Sequence, residues 1–336
     1  MNAPAPRQPR RAVHGVLLLD KPVGMSSNHA LQRAKRLLRA EKAGHTGTLD
    51  PLASGLLPLC FGAATKFAQA CLDADKRYHA TLALGERTPS GDRETPVIER
   101  RDVVVERTAI DAACRRFIGA IDQVPPMHSA LKKNGKALYD YARAGVEVER
   151  TPRRVTIHRI DVLSWRGSEL VLDVSCSKGT YIRTLADDIG QALGCGAHLA
   201  ALRRTGAGRL DVRDAVTPDA LEQMIEADRE ALLKATDCLL ADWPVVRLAA
   251  DDAGRFLTGL RRRIGGADAA AVRVYGSEPP AFLGSAHIIA GELIADRLLS
   301  PLEVRATIAA DPTTPTLTPF AASRGGSAPF GRPGGH

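Results

Sequence analysis

The stretch 43–65, AGHTGTLDPLASGLLPLCFGAAT, is almost without charge. Its one formal charge is Asp50, and Lys42 and Lys66 stand just outside it. The chain as a whole is 25% charged, so about six charges would be expected over such a length. Other absences narrow the class. Six cysteines, at 60, 71, 114, 176, 195 and 238, form no C-x-x-C pair and have no histidine cluster beside them. That argues against a zinc site and predicts free thiols in a reducing compartment. No metal-ligand spacing and no P-loop are present, so no cofactor is expected. The longest apolar run, 52–64, is broken by Ser54, Gly55 and Pro58, whereas a spanning helix needs about 20 residues. Val16-Leu17-Leu18-Leu19 ends at Asp20, too short for a signal-peptide core. The expectation is a cytoplasmic protein with no membrane partner.

What is present suits a folded protein with a polyanionic partner. The chain has 336 residues and 44% hydrophobic content, enough for about two domains. Lys and Arg number 46 against 38 Asp and Glu, a net charge of +8. The basic residues cluster: Arg33, Lys35, Arg36, Arg39 and Lys42; Arg150, Arg153 and Arg154; Arg203 and Arg204; Arg261, Arg262 and Arg263. Each cluster alone could be a solvated face; together they could form a track for phosphates.

The periodicities predict a strand at 15–19 and a helix capped by Ser26 or Ser27 with the stripe Ala30, Leu31, Ala34, Leu37 and Leu38. A strand at 76–84 carries Tyr78. Thr108 can cap a helix over 109–117. Strands at 153–164 and 169–176 pair across Arg166-Gly167-Ser168. Helices follow near 180–193, from Thr217-Pro218 to about 234, and near 251–260. Strands and helices intersperse without a βαβ rhythm, so the fold class is α+β with an antiparallel or mixed sheet. Trp243-Pro244 marks a boundary. The expected organisation is a disordered basic 1–12, a large α+β domain at 13–243, a small β domain at 244–310 and a Thr, Pro, Gly, Ala and Ser-rich tail at 311–336.

Asp50 carries two readings. Asp-Pro-Leu-Ala is a helix start, with Asp50 as N-cap and Pro51 at the first helical position. A lone acid among small and apolar residues is also how a nucleophilic carboxylate is housed. The two roles are compatible, and local chemistry does not choose between them.

The wider pattern supplies a direction. Residues 44–59, GHTGTLDPLASGLLPL, resemble the catalytic motif of the bacterial tRNA pseudouridine-55 synthases, the TruB family. So do Leu19-Asp20-Lys21-Pro22-Val23-Gly24-Met25-Ser26-Ser27, Lys76-Arg77-Tyr78 and Thr88-Pro89-Ser90-Gly91-Asp92. Val124-Pro125-Pro126-Met127-His128-Ser129-Ala130 and Ser177-Lys178-Gly179-Thr180-Tyr181-Ile182-Arg183 complete six blocks in the family's order, spanning about 15 to 210.

The resemblance implies the pseudouridine synthase fold, a long mixed sheet with a central cleft, and a small C-terminal PUA-like RNA-binding domain. It implies isomerisation of uridine 55 in the T-arm of tRNA, after the base is flipped out of its stack. It places the essential carboxylate at Asp50, a stacking ring at Tyr78, and substrate contacts at His45, Tyr181 and Leu202. Arg183 is the natural partner of Asp50, and Lys21 shapes the cleft wall. Without the family pattern Tyr78 reads as a half-buried strand aromatic, Leu202 as core, and His45 as a turn histidine. The rivals are a guide-RNA-dependent, dyskerin-like enzyme and a non-catalytic tRNA-folding factor. No obligatory protein partner is inferred.

Overall fold

The apolar run at Val16-Leu17-Leu18-Leu19 becomes a strand because both of its faces find cover. A computed structural model describes residues 9–127, 129, 131–133, 135–277 and 280–310. The chain divides into two compact units, Met1–Leu239 and Leu240–His336, a few residues before the expected boundary at Trp243-Pro244. In the first unit, β1 (Gly15–Lys21) sends Leu17 and Leu19 into a core shared with α1 (Ser27–Leu37). Val16 and Leu18 enter a second core on the opposite face, as the period of two requires. Ser26 caps α1 by accepting from the His29 amide at 3.2 Å.

Next along the chain come β2 (Ala43–His45), β3 (Ala53–Phe61), α2 (Ala68–Asp73) and β4 (Lys76–Leu84). A small hairpin, β5 (Glu86–Arg87) and β6 (Glu99–Arg100), precedes α3 (Arg107–Arg116) and β7 (Gly119–Gln123). β8 (Lys132–Lys133), β9 (Lys136–Ala137) and α4 (Leu138–Arg143) lead to the expected hairpin, β10 (Arg153–Arg166) and β11 (Glu169–Cys176). α5 (Ile182–Ala192), β12 (Ala197–Ala207), β13 (Leu210–Asp211), α6 (Pro218–Gln223) and α7 (Glu226–Ala231) complete the unit.

Among the described residues these strands form a nine-stranded sheet in the order β1-β3-β12-β4-β11-β10-β7, with β2 on β3 and β13 on β12. The pairs are antiparallel except β3 with β12. That parallel contact is short: Leu202 opposite Ala53, Arg203 opposite Ser54 and Arg204 opposite Gly55. The α+β class and mixed sheet are as the sequence indicates. Ala80, Leu82 and Leu84 of β4, Leu170, Leu172 and Val174 of β11, and Ile182, Leu185 and Ile189 of α5 pack as one core. Each fully buried Leu, Ile or Val there contributes about 1.5–3 kcal/mol.

Four local expectations are corrected. Asp50-Pro51 opens no helix; Asp50 accepts from the Ala53 amide in a turn and β3 follows at once. The strand wins because Leu56, Leu57, Leu59 and Phe61 are covered on both faces, which a surface helix could not arrange. The helix expected after Thr108 begins two residues earlier, with Glu106 at its N-cap and no side-chain cap bond. The helix from Thr217-Pro218 breaks at Met224-Ile225 into α6 and α7, with Thr217 capping α6 through the Ala220 amide. Arg11, inside the expected disordered 1–12, pairs by backbone with Arg39 and Glu41. Residues 1–8, His128, Ala130 and the tail 311–336 lie outside the described residues.

The second unit is a smaller sheet of five strands among the described residues, in the order β14-β16-β17-β18-β15. They are β14 (Val245–Leu248), β15 (Arg262–Arg263), β16 (Ala269–Ser277), β17 (Pro280–Ile289) and β18 (Glu292–Leu298). Helices α8 (Ala250–Leu257) and α9 (Pro301–Ala310) accompany it. Phe256 of α8 is fully buried, and Tyr275 packs on Phe282 with ring centroids 5.5 Å apart.

Candidate active site

Asp50 sits in the turn that feeds β3, three residues before the strand begins at Ala53. Its carboxylate is 44% exposed and accepts from Arg183 Nη2 at 3.1 Å. Arg183 lies in the first turn of α5 and is only 8% exposed. Its other arm, Nη1, pairs with Asp92 Oδ2 at 3.1 Å, and Asp92 is wholly buried. One guanidinium thus bridges a buried acid and an open one. The planar fork presents a separate nitrogen to each acid, which the single ammonium of a lysine does not.

Asp92 is itself locked. Its Oδ1 accepts from Ser90 Oγ at 2.5 Å and from the Glu94 amide at 3.0 Å. Thr88 Oγ1 donates to the Asp92 carbonyl at 2.6 Å. The Thr-Pro-Ser-Gly-Asp block therefore serves as a clamp for Arg183. Sequence reasoning assigned no role to Asp92; its presence in a motif beside Ser and Thr was the available signal.

The N-terminus of α5 has no side-chain cap at Tyr181. Buried Gln123, at the end of β7, replaces it: its Oε1 accepts from the Tyr181 amide at 2.9 Å and its Nε2 donates to the Tyr181 carbonyl at 3.3 Å. This paired contact fixes where Tyr181 and Arg183 start. Burial raises the Tyr181 hydroxyl pKa, opposed by the neighbouring Ser129.

Asp50's charge is felt by Lys21, Tyr78, Tyr181 and Glu94, so these groups share one neighbourhood. Lys21 is fully buried and donates to the Pro22 carbonyl at 2.9 Å and the Met25 carbonyl at 2.6 Å. Burial brings its pKa down to about 8, with Asp50 opposing and Arg204 assisting the shift. Tyr78, half-buried on β4, lies opposite Val174 on one side and Arg204 on the other. Burial raises its pKa, against the pull of Arg204. Glu94 is pushed up by burial and by the nearby Asp92 and Asp50.

His45 ends β2, opposite Leu59. Its Nδ1 is buried without a hydrogen-bond partner. Burial and then the Arg204 charge lower its pKa, favouring the neutral ring. Leu202 is half-buried where β12 meets both Ala80 and Ala53, and packs against both cores. The sequence-named residues therefore gather around the β3–β12 junction.

The basic clusters fare unevenly. Arg204 is 2% exposed and belongs to the interior. Arg203 makes a two-pronged pair with Asp20 at 2.9 and 2.6 Å. Arg33 pairs with Asp219 and Glu222, and Arg39 with Glu226. The phosphate-track reading is corrected for Arg204, which β12 places in the interior.

The fold is one that solved structures share. It is similar to Cbf5 in a Cbf5–Nop10–Gar1 complex, at 26% identity and TM-score 0.67, covering 87% of this chain and 86% of that one. An archaeal box H/ACA sRNP Nop10–Cbf5 complex matches in fold at 24% identity and TM-score 0.64, over 86% of each chain. The family is narrower. Residues 35–182 match the TruB family pseudouridylate synthase N-terminal domain, and 183–241 the tRNA pseudouridylate synthase B C-terminal domain. The tRNA pseudouridine synthase B of Cupriavidus pinatubonensis is 57% identical, over 88% of this chain and 96% of that protein. That of Burkholderia mallei is 55% identical, over 88% and 97%. The chain belongs to the TruB family of pseudouridylate synthases.

Proposed function

We propose that this protein isomerises uridine to pseudouridine in tRNA, at position 55 of the T-loop, without a guide RNA. The observation that carries the reading is the 57% identity, over 88% of the chain, to a relative named tRNA pseudouridine synthase B. The site's chemistry supports it. The reaction breaks a C–N glycosidic bond, turns the base and forms a C–C bond to the same sugar carbon. Nothing is oxidised and no group is imported, so one carboxylate suffices as nucleophile or as base toward a sugar proton.

In this reading Asp50 is that carboxylate, exposed enough to meet a ribose and oriented by Arg183. Tyr78 stacks on the flipped base, with Tyr181 and Leu202 against its other edges. Base–aromatic stacking is worth about 1–3 kcal/mol. His45, neutral and with a spare buried nitrogen, fills the gap the base leaves. Lys21 holds the turn 22–25 and balances Asp50's charge. The unit after residue 239 adds RNA contacts as a PUA-like domain.

The test is the purified protein alone with one unmodified tRNA transcript, followed by site-resolved nucleoside mapping. One pseudouridine, in the T-loop, is expected. Pseudouridine formed only when a guide RNA is added, or only at another position, would sink the reading. An RNA-folding gain with no modified nucleoside would favour the tRNA-folding factor.

A further inference from the structure

Arg204 is an interior cation that the proposed chemistry leaves unused. It is 2% exposed, and among the described residues no carboxylate pairs with it. Removing a guanidinium from water without an acid to meet it is costly, so its retention calls for a use. The fork spans two segments. Nε donates to the Leu56 carbonyl of β3 at 2.7 Å, and Nη2 to the Gly47 carbonyl at 3.4 Å. A Cβ on Gly47 would stand 3.6 Å from Nη1, so this backbone lies against the guanidinium. Gly47 lies between His45 and Asp50 in sequence. Across the β4–β12 ladder Arg204 lies opposite Tyr78 in register, and its charge opposes the upward shift that burial gives the tyrosine hydroxyl.

We propose that Arg204 is a positioning residue: it ties the Gly47 backbone to β3 and so fixes the segment that ends in Asp50 before RNA arrives. Arg183 grips the Asp50 carboxylate, and Arg204 grips the chain that carries it. A lysine could supply charge but not the planar fork whose separate nitrogens reach carbonyls on two segments. The effect of the Arg204 charge on His45 is consistent with this closeness. The proposal rests on the functional reading above.

The experiment uses the full chain with Arg204→Met and Arg204→Lys. Thermal melts establish folding; tRNA affinity, single-turnover pseudouridine formation and the NMR titration of the His45 ring in RNA-free protein are then measured. For Arg204→Met a rate loss of about 10–100-fold is expected, because small misplacements at a reacting centre cost this much. Affinity should hold, and the His45 titration should move up as the neighbouring positive charge goes. Arg204→Lys should keep the His45 titration near that of the parent while still losing rate, since charge survives and the fork does not. A folded Arg204→Met protein with the parent rate overturns the proposal. If Arg204→Met does not fold, the parent rate in Arg204→Lys overturns it equally. Should the parent protein form no pseudouridine in tRNA, the functional reading fails by itself. The His45 titration then still decides whether Arg204 sets this segment, and no shift in Arg204→Met counts against it.

Discussion

At the scale of single residues, the turn at Asp50 separates the two roles that local sequence allowed. No helix starts there, so Asp50→Asn removes no helix cap. If the carboxylate reacts, the amide variant should keep its melt, bind tRNA through contacts elsewhere, and lose single-turnover pseudouridine formation by several orders of magnitude. Near-normal turnover in the folded variant would end the assignment. Lys21 gives a second test, in pH. Its folded pKa, about 8 against 10.5 in the open chain, means the unfolded chain holds more of this proton between those values. Stability from this group therefore rises with pH across that window, after being held down below it. Turnover should move the other way, falling as pH passes about 8, because the neutral amine no longer balances Asp50. Lys21→Arg should move that alkaline limb out of range; rate profiles and melts at matched pH settle it, and identical profiles for both proteins would refute it. Asp50 drew notice as the one acid in an uncharged stretch, but its catalytic assignment came from the family pattern, because local chemistry left the cap reading open. Arg204 was not legible: beside Arg203 it resembles a surface pair. Strand alternation sends Arg203 toward Asp20 and Arg204 inward, but only knowledge of which face was covered could assign them.

At the scale of elements, the β3–β12 junction is where the fold makes its site, and Gly55 is what lets the strands meet. Its φ is +101°, and a Cβ there would stand 2.3 Å from the Arg204 carbonyl oxygen and 2.7 Å from its amide nitrogen. Gly55→Ala meets rigid backbone and a left-handed conformation together, so a loss of about 3 kcal/mol or more is expected. Arg204 would shift with its backbone. Denaturant melts measure the first effect and single-turnover rates the second; an alanine variant as stable as the parent would show that the junction yields. Strands with clean alternation, such as β10 and β11 across Gly167-Ser168, were readable along the chain. β3 was not, since Asp-Pro imitates a helix start and Pro58 argues against a strand. Pro58 is tolerated in the gap between the β12 contact at Ala53–Gly55 and the β2 contact at Leu59–Phe61. That gap is tertiary information. The split of α6 from α7 and the Gln123 clamp on Tyr181 are equally non-local.

At the scale of the whole molecule, a charge of +8 counts less than which cations are free to meet phosphate. Arg33, Arg39 and Arg203 are engaged by carboxylates, and Arg204 is buried. Arg36, Lys42, Arg153 and Arg263 are exposed, and among the described residues no carboxylate pairs with them. Each phosphate neutralised releases counterion, so tRNA affinity should fall steeply as salt rises, with a log–log slope of about 0.7–0.9 per contact. Replacing a free cation that contacts phosphate should lower that slope by about one contact and weaken binding to all tRNAs alike. Arg36→Gln and Arg153→Gln are the direct cases. Arg203→Gln should leave the slope unchanged, because its charge is already spent on Asp20, although it breaks a link between β12 and β1. The measurement is tRNA affinity from low to high salt for the parent and the three variants. Equal slopes for all four proteins would remove the free cations from the binding face. A drop for Arg203→Gln alone would mean that the pair with Asp20 opens when RNA binds.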